Sequence, residues 1–239
     1  MESWYTSAQA YLEEQESTVK LTSRKDPNFE ALRVYFARKL SEEPALIARP
    51  QTVEDVQSLV RYCSENEGID FVVCTGPHDS PGNTKDGDVL WIDMRDIDYV
   101  EVADDGATAK LGVGIAFRGL TNVLLENDLA IPNVILANAG YTWTPISPFS
   151  TRYGLSASQV ISVKLVNSEG CLLEADGQQL DYIMQIGSGF GVIVELTIEV
   201  CSLKKMFSSS DESSDADVSD MDAYDTDAYE ADISDTNAH

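Results

Sequence analysis

The chain switches between helical and strand periodicity in an irregular order, and this order limits the folds that it can adopt. Its clearest helix begins after Thr52, a good N-cap residue, with Glu54 and Asp55 in the first turn, where the helix dipole favours acidic side chains. An apolar stripe then runs along one helical face as far as Gly68, and consists of Val53, Val56, Leu59, Val60 and Cys63. The apolar run 71–74 follows directly and is predicted to be a short strand.

The later segments continue this mixture. A second helix is predicted over 117–127 and a third over 178–186, with a proline-containing loop at 131–152 between them. Further strands are predicted at 89–93, at 99–102 and 107–114 with a turn at 104–106 between these two, in a hairpin that turns at 168–170, and at 192–200. Because strands and helices do not alternate one for one, the pattern favours the α+β class over a regular βαβ fold.

The strand predicted over 192–200 has the strictest alternation in the chain. Its apolar residues occupy every second position, as expected of a strand with one buried face. The alternation predicts that Glu195, Thr197 and Glu199 lie on the solvent face.

Two flanking segments differ in composition from the central region, which is placed at 44–206. Residues 1–43 form a polar segment, in which the spacing of Phe29, Leu32, Phe36 and Leu40 predicts a short helix from Asn28 to Leu40. From Met206 to the end the chain has eleven acidic residues and neither Lys nor Arg. Such a segment buries too little apolar area to offset the entropy of ordering, so 207–239 is predicted to be a disordered acidic tail.

The charge balance excludes several classes of partner. The sequence has 41 acidic and 16 basic residues, for a net charge of -25. Nucleic acids and anionic membranes are both recognised through basic surface, so neither is expected as a partner. No apolar stretch approaches the roughly 18 residues needed to span a bilayer, and the first residues lack the features of a secretory signal.

The four cysteines are far apart and form no CxxC pair. They are interpreted as buried thiols rather than as disulfides or metal ligands. No metal site is therefore expected, and a cytoplasmic protein is predicted.

Several motifs occur in an order that is typical of one family. They are, in sequence, ARPQTVEDVQSLVRYC with the strand and TGPHD after it, VLWIDMRDIDYVEV, ATAKLGVGIAFRGLTNVLLENDLAIP, RYGLSASQVISVKLVNSEGCLLEA and QIGSGFGVIVELTIEV. This region, from about Pro44 to Ser202, resembles the PCMH-type FAD-binding domain of the oxygen-dependent FAD-linked oxidoreductases. That family includes vanillyl-alcohol oxidase and relatives of berberine bridge enzyme.

The resemblance implies an FAD site with two phosphate-binding loops. Glycines in such loops let backbone N–H groups approach a diphosphate closely. The first loop corresponds to Gly76, Pro77, His78, Asp79 and Ser80, and His78 stands where the family attaches the flavin covalently. Pro77 removes one N–H donor, and Asp79 adds a negative charge. A plain surface-loop histidine is the alternative interpretation of His78.

The second loop departs further from the family pattern. It retains Gly140 and Gly154 but carries Tyr141, Trp143 and Pro145 where small residues are expected. The positions expected to contact the flavin here and in the closing strand are Gly140, Tyr153, Gly154, Leu155 and Val194.

By resemblance, the expected function is oxidation of a small secondary metabolite, with hydride transfer to the flavin and oxygen as the acceptor. Family members continue for about two hundred further residues that hold the substrate-binding sheet and the catalytic base, so the match is to a truncated member and no catalytic residue is assigned. A partner chain could supply the missing substrate domain. The alternative hypothesis is a non-catalytic binding or scaffold protein derived from a flavin domain. A third hypothesis is a fragment of a misread or decayed gene that has no function.

Overall fold

The computed structural model describes residues 2–35, 38–39, 43–75, 89–131, 156–186 and 190–204. The chain divides into two units, Met1–Met206 and Phe207–His239, and the second, which contains the predicted acidic tail, lies outside the described residues. The described helices are α1 Glu2–Glu14, α2 Phe29–Leu32, α3 Val53–Glu65, α4 Phe117–Glu126 and α5 Gly177–Ile186. The described strands are β1 Lys20–Ser23, β2 Val34–Tyr35, β3 Arg38–Lys39, β4 Leu46–Arg49, β5 Asp70–Cys74, β6 Val89–Asp93, β7 Val100–Val102, β8 Thr108–Gly112, β9 Leu129–Ala130, β10 Val160–Val166, β11 Leu172–Asp176, β12 Val192–Glu199 and β13 Cys201–Ser202.

The first sheet has the order β1-β4-β6-β5. Strands β4, β6 and β5 are parallel, and β1 is antiparallel at the edge. Helix α3 connects β4 to β5, and β6 lies between these two strands. Every residue of β6 is buried, as expected of a parallel strand that is covered on both faces.

The second sheet is antiparallel and has the order β11-β10-β12-β8-β7. Its two hairpins turn where the sequence predicts turns. Gly106, between β7 and β8, has φ +64°, and Gly170, between β10 and β11, has φ +72°. Glycine adopts this left-handed backbone without steric cost. Together the two sheets and the helices confirm the α+β class.

One large apolar core joins the elements. It contains Leu46 and Ile92 from the first sheet, Val163 and Leu196 from the second, and Leu59 from α3. A smaller core lies on the opposite face of the first sheet, around Trp91, Ile47 and Phe29. Within the described ranges, no helix combines the length and the apolar composition that crossing a membrane requires.

The N-terminal segment differs from its prediction. The helix predicted from Asn28 to Leu40 is wrong, because α2 ends at Leu32 and the chain continues into β2. Arg33 is 1% exposed and forms ion pairs with Glu30 at 2.9 Å and Glu43 at 3.2 Å. Arg33 directly follows the helix and pairs with Glu43 ten residues away, and β2 then begins with the β-branched Val34, which favours a strand.

Glu195 is a second correction. It was predicted on the solvent face with Thr197 and Glu199, but it is only 8% exposed. Tyr99 and Lys164 cover its carboxylate with hydrogen bonds, and a short alternating pattern cannot reveal such cover.

All four cysteines lie in described parts of the chain, and none forms a disulfide there, as predicted. Cys63 and Cys74 are buried, Cys171 is exposed and Cys201 is intermediate, so the prediction of buried thiols is wrong for Cys171. Burial raises the pKa of the Cys63 thiol to about 12, which keeps that thiol protonated at neutral pH.

Candidate functional site

The carboxyl ends of the parallel strands form one edge of the first sheet. Cys74 of β5 pairs with Asp93 of β6, and Ala48 of β4 pairs with Ile92 of β6. Arg49, Asp93 and Cys74 therefore lie in one row across β4, β6 and β5. In open sheets with parallel strands, ligands bind outside this edge, so this row is a candidate ligand site.

A group of charged side chains lies at this edge, and we call it the charge cluster. Its members are Lys20, Arg49, Asp93, Arg95 and Asp96. Three cations against two carboxylates leave a net charge of about +1 in these five side chains. The cluster is therefore an exception in a chain whose net charge is -25.

Asp93 is completely buried and is neutralised by Arg95. Arg95 donates from Nε at 2.8 Å and from Nη2 at 2.6 Å to the two carboxylate oxygens. Arg95 Nη2 also donates to the carbonyl of Leu32 at 3.0 Å. This two-point contact is the strong form of an arginine–carboxylate pair, and it fixes the chain immediately after β6.

Asp96 accepts hydrogen bonds from three side chains. Lys20 Nζ lies at 3.2 Å and Gln51 Nε2 at 2.7 Å, and Arg49 Nη2 is the third donor. Burial alone would raise the pKa of Asp96, but the hydrogen bonds from Gln51 and Lys20 and the charge of Arg49 outweigh it and lower that pKa. Asp96 is therefore ionised at neutral pH.

The G-x-G turn at the end of β8 has a packing role. Gly112 N–H donates to the carbonyl of Tyr99 at 2.9 Å, and Gly114 N–H donates to that of Ile97 at 2.9 Å. A Cβ on Gly112 would collide with the carbonyl of Ile97, and one on Gly114 would collide with that of Met94. These glycines therefore bring β8 against the segment that leaves β6, and the space beside them is filled by protein backbone.

A second polar group lies on the outer face of the second sheet. Tyr99 Oη donates to Glu195 Oε2 at 2.6 Å, and Lys164 Nζ lies 2.9 Å from Glu195 Oε1. Burial, and then the hydrogen bond and charge of Glu195, raise the pKa of Tyr99. Burial alone would raise the pKa of Glu195, but the bonds from Tyr99 and Lys164 outweigh it and lower that pKa. At neutral pH Tyr99 is therefore protonated and Glu195 is ionised, which suits a structural role better than proton transfer.

Most of the predicted flavin contacts lie outside the described residues. These are Gly76, Pro77, His78, Asp79, Ser80, Gly140, Tyr153, Gly154 and Leu155. Thr75, after β5, is the last described residue before the first loop. Val194 is described, and its side chain is completely buried in the large core while its carbonyl accepts a hydrogen bond from Val113 N–H at 3.3 Å. All ten positions stay predictions.

Sequence reasoning missed the charge cluster. The sequence carries a signal for it, because two apolar strands each end on a charged residue. Arg49 comes directly before Pro50, and Asp93 begins the run Asp-Met-Arg-Asp. The pattern alone does not show that these two strand ends are neighbours in the sheet.

The described residues at this edge fit an anionic cofactor such as FAD. Arg49 Nε is a buried donor without a hydrogen-bond acceptor in the described part of the chain, and its distance of 3.7 Å to Asp93 Oδ2 is too long for a hydrogen bond. A buried donor without an acceptor is costly, and a phosphate oxygen would satisfy it. A bound FAD would supply the acceptor of a hydride, and the protein would supply its position and electrostatic surroundings.

Comparison with known proteins gives a consistent answer. The family model described as "FAD binding domain" matches residues 44–176. FAD-linked oxidoreductase aurO of Gibberella zeae is 32% identical over 188 residues, which cover 76% of this chain and 37% of aurO. (R)-6-hydroxynicotine oxidase of Paenarthrobacter nicotinovorans is 24% identical over 189 residues, covering 75% of this chain and 41% of that protein. The chain thus spans about two fifths of the length of these relatives.

Solved structures show the same fold. The crystal structure of 6-hydroxy-D-nicotine oxidase from Arthrobacter nicotinovorans superposes with a TM-score of 0.71 at 21% identity, covering 79% of this chain and 43% of that one. BBE-like 1 from Physcomitrella patens superposes with a TM-score of 0.72 at 21% identity, covering 82% of this chain and 44% of that one. The match to the family model, which extends over more than half of the sequence, shows that this chain belongs to the FAD-binding domain family of the FAD-linked oxidoreductases, as its motifs predict.

Proposed function

We propose that this chain binds FAD and forms the flavin-binding part of an oxidoreductase that transfers hydride from a small secondary metabolite to the flavin. The observation that carries the proposal is the family match over residues 44–176. The relatives named FAD-linked oxidoreductase come from Gibberella zeae and Aspergillus, and they support the class of reaction. Oxygen is the proposed electron acceptor, by resemblance to the family.

The proposed cofactor site combines the two predicted loops with the charged edge of the first sheet. Gly76 to Ser80 and the segment from Gly140 to Leu155 would hold the diphosphate through backbone donors. His78 is the proposed point of covalent attachment. Val194 would lie beneath the flavin as part of the apolar core.

The catalytic base and the substrate-binding surface are proposed to come from outside these residues. The chain aligns with 37% of aurO and 41% of the nicotine oxidase, so most of each relative has no counterpart here. Hydride transfer needs substrate and flavin held together in a dry site. We propose that the substrate domain comes from residues outside this sequence, either on the same polypeptide or on a partner chain.

The decisive measurement is flavin binding by the whole chain. The protein is expressed, its visible spectrum is recorded, and the colourless fraction is titrated with FAD while flavin fluorescence is followed. A spectrum with flavin bands, or saturable uptake of FAD, is the expected result. Colour that remains with the acid precipitate, and that His78→Ala abolishes, supports covalent attachment.

A non-catalytic binding or scaffold protein is the second candidate, because Pro77, Tyr141 and Trp143 stand where the family pattern expects small residues in the phosphate-binding loops. A folded protein that neither contains nor takes up FAD would support this candidate and refute the first. A cytoplasmic location stays a prediction from the sequence, which microscopy of a tagged chain would test.

A further inference from the structure

Arg49 is the surplus cation of the charge cluster. Each of the two carboxylates already has another basic partner, since Arg95 binds Asp93 through two nitrogens and Lys20 binds Asp96. Gln51 adds a hydrogen bond to Asp96. Neither carboxylate therefore depends on Arg49 alone for neutralisation.

Arg49 also has side-chain N–H groups that form no hydrogen bond with the described residues. A guanidinium has five N–H groups, and among the described residues only Nη2 of Arg49 donates a hydrogen bond, to Asp96. Its Nε is buried and has no acceptor within that part of the chain. The side chain as a whole is 26% exposed, so part of it faces solvent.

The position of Arg49 suits a ligand at the edge of the sheet. It ends β4, beside Asp93 of β6, and Asp93 pairs with Cys74 at the end of β5. Neighbouring strands are about 4.8 Å apart, so Arg49 and Cys74 are separated by about 10 Å across the sheet. An arginine side chain spans much of that distance, and a planar guanidinium binds phosphate oxygens in pairs.

We propose that Arg49 binds the diphosphate of FAD and is a specificity-determining residue for that anion. This inference rests on the proposed function, since it assigns a contact within the same site. Arg49 would supply the positive charge that a diphosphate needs in a strongly acidic protein, while Arg95 and Lys20 keep the two aspartates neutralised.

The test compares three ligands on the full-length chain. FAD and ADP both carry the diphosphate, whereas riboflavin carries the flavin without phosphate. Arg49→Gln is expected to weaken FAD and ADP binding about tenfold or more, equivalent to about 1.4 kcal/mol, and to leave riboflavin binding within about twofold. Arg118→Gln is the matched control, because it removes the same charge from an exposed position of α4, outside the charge cluster. It should leave all three affinities close to those of the wild type.

The outcomes separate this inference from the proposed function. A wild-type chain that binds none of the three ligands refutes both. If the wild type binds FAD and Arg49→Gln binds it with the same affinity, only the role of Arg49 is overturned. An equal loss of FAD and riboflavin binding also overturns it, because that result indicates a structural effect.

A second variant, Arg49→Lys, keeps the test decisive if Arg49→Gln does not fold. If circular dichroism shows that Arg49→Gln does not fold, Arg49→Lys takes its place, because it retains the charge but loses Nε and the planar fork. A loss of ADP affinity of about threefold in Arg49→Lys supports the proposal, and wild-type affinity contradicts it. Added salt should weaken ADP binding to the wild type, as expected for an ionic contact.

Discussion

Thr18 donates two hydrogen bonds to Asp55, one from its backbone N–H at 2.8 Å and one from its hydroxyl at 2.7 Å. Ser17 adds a hydroxyl bond to the same carboxylate at 2.6 Å. Asp55 is also the third residue of α3, where it forms a capping box with Thr52. One carboxylate thus completes the helix N-terminus and ties the N-terminal segment to the first sheet and its helix.

Replacing this carboxylate should destabilise the fold. Asp55 is 2% exposed, and Asp55→Asn leaves several buried donors without an ionised acceptor, so we expect a loss of about 2–4 kcal/mol at pH 7. Urea unfolding measures the loss. Asp26→Asn is the matched control, because Asp26 accepts two bonds from Ser23 on the surface, and its loss should be much smaller.

The effect of Asp55→Asn should depend on pH. Burial alone would raise the pKa of Asp55, but the hydrogen bonds from Ser17, Thr18 and Gln51 outweigh it and lower that pKa below 3.8. A lowered carboxyl pKa stabilises the folded state above the ordinary value, and this contribution is lost as the pH falls through the folded-state pKa. The stability difference between wild type and variant should therefore shrink below about pH 4. A difference that stays constant down to pH 2 would contradict this.

The bond between Tyr99 and Glu195 should appear as an energetic coupling. A double-mutant cycle with Tyr99→Phe and Glu195→Gln is expected to give about 1–3 kcal/mol at pH 7, because the acceptor is a buried charge. Since the pKa of Glu195 is lowered from 4.5, the coupling should fade as the pH falls through that lowered value. A second cycle that combines Tyr182→Phe with Glu195→Gln is the control and should give a coupling near zero, because the Tyr182 ring is 56% exposed. A coupling near zero between Tyr99 and Glu195 would refute their bond.

The close approach at Gly114 predicts a steric effect. Gly114→Ala should cost more than about 3 kcal/mol or prevent folding, because its Cβ would collide with the backbone carbonyl of Met94. Gly68→Ala is the comparison for backbone strain alone, since Gly68 has φ +85° but no atom lies within 4 Å of an added Cβ. This variant should lose about 1 kcal/mol of unfolding free energy. Thermal and urea unfolding rank the two variants, and equal losses would show that the packing at Gly114 is looser than described.

The acidic tail predicted over 207–239 should be dispensable for stability. A chain that ends at Phe207 lacks the eleven acidic residues and the serine-rich stretches at the C-terminal end, but none of the apolar core. We expect its melting temperature to stay within about 2 °C of that of the whole chain, since about 1 kcal/mol shifts a domain of this size by about 2–4 °C. A larger fall would show that this segment packs on the folded unit.

Local sequence patterns were sufficient where local physics decides the structure. Thr52, Glu54 and Asp55 predicted the start of α3 because capping depends on neighbours within one turn. Gly106 and Gly170 marked their hairpin turns because only a few residue types adopt positive φ easily. The order of motifs predicted the family, since it preserves the succession of these local elements.

Patterns failed where distant residues intervene. The spacing after Asn28 predicted a helix as far as Leu40, but α2 ends at Leu32, and the buried Arg33 that follows it pairs with Glu43. The alternation in β12 placed Glu195 in solvent, whereas Tyr99, 96 residues away, covers it. Neither partner is visible in the pattern of the strand or helix concerned.

By itself, the sequence determined the class of fold, the positions of most strands and helices, and membership of an FAD-binding family. Only the tertiary structure decided that the end of β4 lies beside the end of β6, and so made Arg49 the surplus cation next to Asp93 and Asp96. The physical reason is range: periodicity, caps and turns act over a few residues, whereas charge balance and burial depend on which strands become neighbours.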